Sequence, residues 1–114
     1  MKLKMNWTAR VLLCLSLAAA VLLLSPAAQA QGGGEKTYKA KCAMCHGPDG
    51  TASTPTGKAM KALSFCSEEV KKESDAQLTE IIVKGKNKMP SYDKKLTAAE
   101  IKEVVAYIRS LCKK

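Results

Sequence analysis

Two cysteines and a histidine in the stretch Cys42-Ala43-Met44-Cys45-His46 have the residue types and spacing to hold a metal-containing cofactor. Cysteines three positions apart lie on the same side of a helical turn, so both sulfurs can reach the two vinyl groups along one edge of a porphyrin. His46 follows at once and can offer a ring nitrogen to the iron. The pattern is typical of c-type haem attachment and predicts one haem bound covalently through Cys42 and Cys45.

Two other kinds of site use a Cys-x-x-Cys pair, namely redox dithiols and zinc centres. A thioredoxin-like dithiol occurs near a βαβ pattern, which this sequence does not show. A zinc site would have to combine Cys42 and Cys45 with the distant Cys66 and Cys112. Both readings stay open as alternatives, but the adjacent His46 favours haem.

The second iron ligand is expected to be a methionine, because histidine and methionine recur as a haem ligand pair. Met44 lies between the attachment cysteines and cannot reach across the ring, whereas chain length allows either Met60 or Met89. A methionine at helical spacing usually packs in a core, as Met60 would. Met89 lies in a polar, irregular stretch where ligation explains its presence. We therefore expect Met89 as the ligand, with Met60 as the alternative.

The first thirty residues have the three parts of a secretory signal peptide. A basic start, an apolar run and a small-residue cleavage site follow one another at Lys2, Lys4 and Arg10, residues 11–24, and Ala28-Gln29-Ala30. The apolar run is shorter than the roughly 20 residues that span a bilayer. We expect cleavage after Ala30 and export of residues 31–114 to the periplasm as one domain. Retention of the segment as a membrane anchor is the alternative.

The chain is basic, with a formal charge of +9, and a basic excess remains without residues 1–30. Such an excess suits a partner with an acidic face. Nucleic acid is not expected, because the predicted mature domain has no Trp and a single Phe for base stacking. Lysines are concentrated around the attachment site and Met89, at Lys41, Lys84, Lys86, Lys88, Lys94 and Lys95. We expect a monomer that docks on a redox protein through this face.

Helical signals account for most of the predicted mature domain. Capping boxes at Ser74–Gln77 and Thr97–Glu100 predict two helix starts. The second precedes an apolar stripe at helical spacing: Ile101, Val104, Val105, Ile108 and Cys112. A shorter helix is expected from Glu35 to Cys45 after a flexible Gly32-Gly33-Gly34 lead-in, with a loop over residues 47–57. No segment alternates as a strand, so the fold class is all-α.

Cys66 and Cys112 are an even pair left over in an exported domain, where leftover cysteines usually bond. We therefore predict a disulfide between them. The alternative is two buried thiols that act as small apolar side chains.

The sequence resembles class I cytochrome c over nearly all of the predicted mature domain. The resemblance lies in residues 42–48, in Lys88-Met89-Pro90, and in a closing helix that contains Val104 and Tyr107. It implies about four short helices and loops wrapped around one covalent haem. The first and last helices would cross at Gly34, with Tyr38 and Tyr107 as the aromatic residues beside the crossing.

The same resemblance implies the roles of single residues. The Pro48 carbonyl would accept a hydrogen bond from the second ring nitrogen of His46, and Pro90 would follow the ligand Met89. The implied function is soluble one-electron carriage between respiratory or other periplasmic redox partners, without enzymatic activity. A haem with an open sixth site, acting as a peroxidase or a gas sensor, is the alternative. The family's larger members place a tryptophan on a haem propionate, and residues 31–114 contain none.

Overall fold

The computed structural model describes residues 6–8, 10, 11 and 27–113. Most of the predicted signal peptide lies outside these residues, so its cleavage stays a prediction. Six helices and no strand occur between residues 27 and 113, which confirms the all-α class. They are α1 (Ala27–Lys41), α2 (Ala43–His46), α3 (Pro55–Met60), α4 (Glu68–Lys71), α5 (Asp75–Lys84) and α6 (Ala98–Leu111). Within the described part of the chain, no helix is long and apolar enough to cross a membrane.

Helices α1 and α6 cross at Gly34, as the resemblance implied. A Cβ atom at Gly34 would collide with the Glu103 carbonyl oxygen and lie 3.3 Å from the Tyr107 Cβ, so only glycine permits this approach. The predicted start of this helix at Glu35 is wrong, because α1 already begins at Ala27 and includes all three glycines. Glycine weakens a helix by about 1 kcal/mol relative to alanine, and the close packing on α6 offsets that loss.

The core forms where the apolar face of α6 meets the other helices. Tyr38 and Val104 are fully buried at its centre. The buried apolar side chains around them are Val70, Leu78, Ile82, Leu96, Ile101, Val105 and Ile108. The predicted α6 stripe is therefore confirmed for Ile101, Val104, Val105 and Ile108, whereas Cys112 lies just beyond the helix and is half-buried. The Tyr38 and Tyr107 rings also meet, with centroids 5.2 Å apart.

Both predicted capping boxes are present. The Ser74 N–H donates to Gln77 Oε1 at 2.7 Å, and the Gln77 N–H donates back to Ser74 Oγ at 3.1 Å. Thr97 and Glu100 make the same reciprocal pair at the start of α6. At its other end, α5 stops at Gly85, whose φ of +75° suits glycine. These local signals fix where α5 and α6 begin.

A disulfide joins Cys66 to Cys112, as predicted. It ties the loop before α4 to the end of α6. Because it closes a span of 46 residues, it restricts the unfolded chain substantially.

We expect the double variant Cys66→Ala and Cys112→Ala to lose up to about 4 kcal/mol of unfolding free energy, the chain-entropy value for a loop of this length. Urea unfolding of the variant and the unaltered protein measures the difference. Alkylation of Cys66 and Cys112 in the unreduced, unaltered protein would contradict the disulfide itself.

Candidate haem-binding site

The end of α1 places the two attachment cysteines on one turn. The Cys42 N–H donates to the Tyr38 carbonyl at 2.8 Å, and the His46 N–H donates to the Cys42 carbonyl at 2.9 Å. Cys42 and Cys45 are half-buried free thiols. Burial, together with the nearby Cys45, raises the pKa of Cys42 to about 11. A redox-active dithiol instead has a depressed thiol pKa, so this environment argues against the dithiol alternative.

Thr54 fixes the backbone of the attachment turn. Its hydroxyl donates to the carbonyls of Met44 and Cys45, at 2.9 and 3.0 Å, and accepts from the Gly57 N–H at 2.9 Å as the cap of α3. A Cβ atom at Gly57 would collide with the Cys45 carbonyl oxygen. The sequence identified neither Thr54 nor Gly57, since both lie in a stretch whose composition indicates only a loop. The usable signal was Thr54-Pro55, a capping residue before a proline at the first helical position.

Tyr38 holds the backbone of Gly47, the residue that follows His46. Its fully buried hydroxyl donates to the Gly47 carbonyl at 2.7 Å. Burial is the main cause of a strongly raised Tyr38 pKa, so the hydroxyl stays protonated and keeps donating. The His46 carbonyl accepts from the Ala52 N–H at 2.8 Å. The backbone on both sides of His46 is thus fixed by hydrogen bonds.

The His46 ring is half-buried, and that burial lowers its pKa, although hydrogen bonding with the Leu63 backbone acts in the opposite direction. The lowered pKa favours neutral imidazole, the form that binds a metal. Its Nδ1 atom is buried and has no hydrogen-bond partner among the described residues. The predicted bond to the Pro48 carbonyl is therefore not formed here, and Pro48 is solvent-exposed. Instead, the imidazole stacks on Phe65.

Met89 closes a tight turn. Its N–H donates to the Lys86 carbonyl at 2.9 Å, and the Lys86 N–H donates back to the Met89 carbonyl at 3.2 Å. Asn87, with a φ of +53°, makes this reversal possible. The Met89 side chain is half-buried and packs against the core, whereas the exposed Pro90 follows it.

Tyr92 connects the Met89 turn to the attachment segment. Its hydroxyl donates to the Lys41 carbonyl at 3.0 Å, directly before Cys42, and its N–H donates to the Ile82 carbonyl at 3.0 Å. The structure thus brings together two regions that lie more than forty positions apart in the sequence. Met60, the alternative ligand, lies at the end of α3 and is exposed. Ligation by Met89 stays a prediction.

The residues present fit a covalently bound haem. Two free thiols lie on one turn, the half-buried His46 imidazole follows them directly, and the apolar Met44 and Leu63 side chains are exposed. The zinc alternative is excluded, because the disulfide consumes Cys66 and Cys112. Among the described residues, no group of three or more His, Cys, Asp or Glu side chains is placed to hold a metal ion.

Comparison with known proteins agrees with this fit. Residues 29–108 match the family described as cytochrome c oxidase, cbb3-type, subunit III. Cytochrome c-555 of Methylococcus capsulatus (strain Bath) is 31% identical over 110 residues, which are 95% of this chain and 84% of that protein. The chain belongs to the cytochrome c family. This family binds haem c covalently, and membership indicates electron transfer.

A solved structure supports the cytochrome c fold. The KustC0563 c-type cytochrome matches with a TM-score of 0.65 and 35% identity over 70% of this chain and 98% of its own. The resemblance to class I cytochrome c and the all-α fold are thus confirmed. Residues 27–113 form six helices where about four were expected, because α1 and α2 are separated at Cys42 and because α4 is a single turn.

We expect Gly85→Ala to loosen the Met89 turn in this cytochrome. Gly85 has a φ of +75° and a ψ of 166°, and an added Cβ would lie 2.6 Å from the Met89 carbonyl oxygen. Residues in such sparsely populated conformations cost about 1–3 kcal/mol. Chemical unfolding should show a loss of this size, together with faster binding of added imidazole to the iron.

Gly32→Ala is the matched control, because its added Cβ meets nothing within 4 Å. Gly32 lies in α1, where alanine is the better helix former. Equal stability of the two variants would contradict the tight fit assigned to Gly85.

Proposed function

We propose that the protein is a one-electron carrier with one haem c, attached through Cys42 and Cys45 and ligated by His46 and Met89. The observation that carries the proposal is the Tyr92–Lys41 hydrogen bond, which holds the Met89 turn beside the attachment segment. His46 and Met89 would hold the iron of the bound haem, and the haem would then supply reversible one-electron chemistry without a position for a substrate.

The residues around the proposed ligands keep them in place. Tyr38 and Thr54 hold the backbone on both sides of His46. Pro90 restricts the backbone of Met89, and the Lys86–Met89 hydrogen bonds close its turn. Fixed ligands and fixed dipoles need little rearrangement when the charge of the site changes. This arrangement suits rapid exchange of an electron at the exposed edge of the site.

Exposure of the ferrous protein to carbon monoxide tests the proposal against a haem with an open sixth site. If protein groups fill both iron positions, carbon monoxide should not change the spectrum of the ferrous protein. The ferric form should then show a weak absorption band near the red end of the visible range. Rapid carbon monoxide binding would instead support a gas sensor or peroxidase. His46 is the only histidine of the sequence, so no second histidine is present to assist peroxide chemistry.

The proposed partner is a redox protein with an acidic patch around its centre, met in the periplasm after export. Lys86 and Lys88 are exposed on the Met89 turn, and Lys41 is exposed beside Cys42. Lys84 pairs with Glu80, so it adds less net charge. The lysines therefore surround the region where an electron would leave, and charge complementarity would raise the rate of encounter.

We predict that electron transfer to the physiological acceptor slows as ionic strength rises, because salt screens the attraction. Changing Lys86 and Lys88 to Glu should slow the reaction roughly tenfold or more at low salt, as steering effects of 10- to 1,000-fold allow. Stopped-flow kinetics measures both effects.

Lys72→Glu with Lys102→Glu is the charge-matched control, since both lysines are exposed and lie outside the Met89 turn. If the control pair slows electron transfer equally, the rate depends on the net charge of the protein and not on the lysines of the Met89 turn. A rate that does not fall with salt would contradict the docking proposal.

A further inference from the structure

Phe65 lies outside every motif of the sequence, yet its ring contacts the predicted iron ligand. The Phe65 and His46 rings stack with centroids 4.4 Å apart and planes inclined by 21°. Tyr38 meets Phe65 edge-on at 6.2 Å and 62°, so the phenyl ring also contacts the aromatic centre of the core. Phe65 is the only phenylalanine of the sequence. The imidazole therefore has one flat face against a flat apolar surface.

The phenyl ring is itself held from several directions. The Phe65 N–H donates to the Gly50 carbonyl at 2.9 Å. Gly50 has a φ of +76°, and a Cβ there would lie 2.9 Å from Phe65 Cδ2, so glycine makes room for the ring. The next residue, Cys66, is tied to Cys112 by the disulfide. Phe65 is thus held by Gly50 on one side and by the disulfide of its neighbour Cys66 on the other.

A metal-bound histidine is ordinarily oriented by a hydrogen bond from its second ring nitrogen. At His46, the Leu63 backbone lies within hydrogen-bonding reach of the ring and opposes the lowering of its pKa by burial, but no well-formed hydrogen bond reaches the buried Nδ1 among the described residues. Stacking restricts rotation of the imidazole about the bond that joins the ring to Cβ, since turning the ring would drive its edge into Phe65. The flat contact therefore adds a constraint on the plane of the ring.

We propose that Phe65 is a positioning residue that sets the plane of the His46 imidazole and keeps water from that side of the ligand. The inference rests on the proposed function, in which His46 ligates the iron. The plane of an axial imidazole governs how unpaired spin is distributed over a ferric haem, and thus the order of the haem methyl resonances. Apolar shielding of the ligand also affects the reduction potential.

The test compares proton spectra and reduction potentials of the ferric holoprotein and its Phe65 variants. Phe65→Leu keeps an apolar side chain but removes the flat face, so we expect reordered haem methyl resonances and a lower reduction potential. Phe65→Tyr restores the flat face and should restore the order of the resonances. Leu78→Ala is the control for a general loss of core packing. Leu78 is buried in the same core, whereas the ring that stacks on His46 is that of Phe65.

Unchanged resonances in Phe65→Leu, or equal changes in Leu78→Ala, would overturn the inference and leave the proposed function standing. A second measurement needs no variant. Cross-relaxation between the ring protons of Phe65 and His46 is expected in the diamagnetic ferrous protein, and its absence would also overturn the inference. An unaltered protein in which His46 does not ligate iron would overturn both this inference and the proposed function.

Discussion

A Met89→Ala variant is expected to keep its haem, lose the weak red absorption band of the ferric form, and bind added imidazole. In the proposed function, attachment needs only Cys42 and Cys45, whereas alanine at position 89 has no sulfur to offer the iron. The Lys86–Met89 hydrogen bonds involve only the backbone, so the turn itself can persist. Visible spectra with increasing imidazole measure the effect, which we expect to be complete rather than partial.

Met60→Ala is the matched control, because Met60 is the alternative ligand and is exposed at the end of α3. We expect this variant to keep the band and to bind no imidazole. If Met60→Ala loses the band and binds imidazole while Met89→Ala does neither, the ligand is Met60. An unchanged spectrum in both would mean that a different group occupies the sixth position.

A second large effect is expected when both cysteines that would attach the haem are replaced. The double variant Cys42→Ser and Cys45→Ser should lose all haem staining after denaturing electrophoresis, because neither residue can then form a thioether. We also expect it to be much less stable, since a domain of this size has a small core and depends on added constraints. Circular dichroism with thermal unfolding measures that loss.

The second cysteine pair provides the control for attachment. Cys66→Ala with Cys112→Ala removes the disulfide but leaves the attachment turn unaltered. This variant should stain for haem as strongly as the unaltered protein. Staining that persists in the Cys42 and Cys45 variant, or disappears in the control, would contradict the assigned roles.

The sequence predicted the second half of the described chain well, because the signals there are local. Capping boxes depend on residues three apart, and the α6 stripe depends on one helical period. Both produced the correct starts of α5 and α6. The prediction of an attachment turn rests on an equally local signal, since Cys42, Cys45 and His46 lie within five positions.

Contacts between distant segments could not be predicted from local patterns. The start of α1 was missed, because three glycines indicate a flexible segment unless the packing of Gly34 on α6 is known. Phe65 was missed because its stacking on His46 joins residues nineteen positions apart. The resemblance also implied a Pro48 hydrogen bond that is not formed among the described residues, where the Leu63 backbone is the neighbour of the imidazole instead.

A potentiometric titration followed by visible absorbance tests directly whether the protein carries one electron on a haem. We expect a single reversible transition in the haem bands, in which the ratio of oxidised to reduced protein changes tenfold over about 59 mV, the value for one electron. A tenfold change over about 30 mV, the value for a two-electron dithiol couple, or no haem bands at all, would contradict one-electron carriage by a haem.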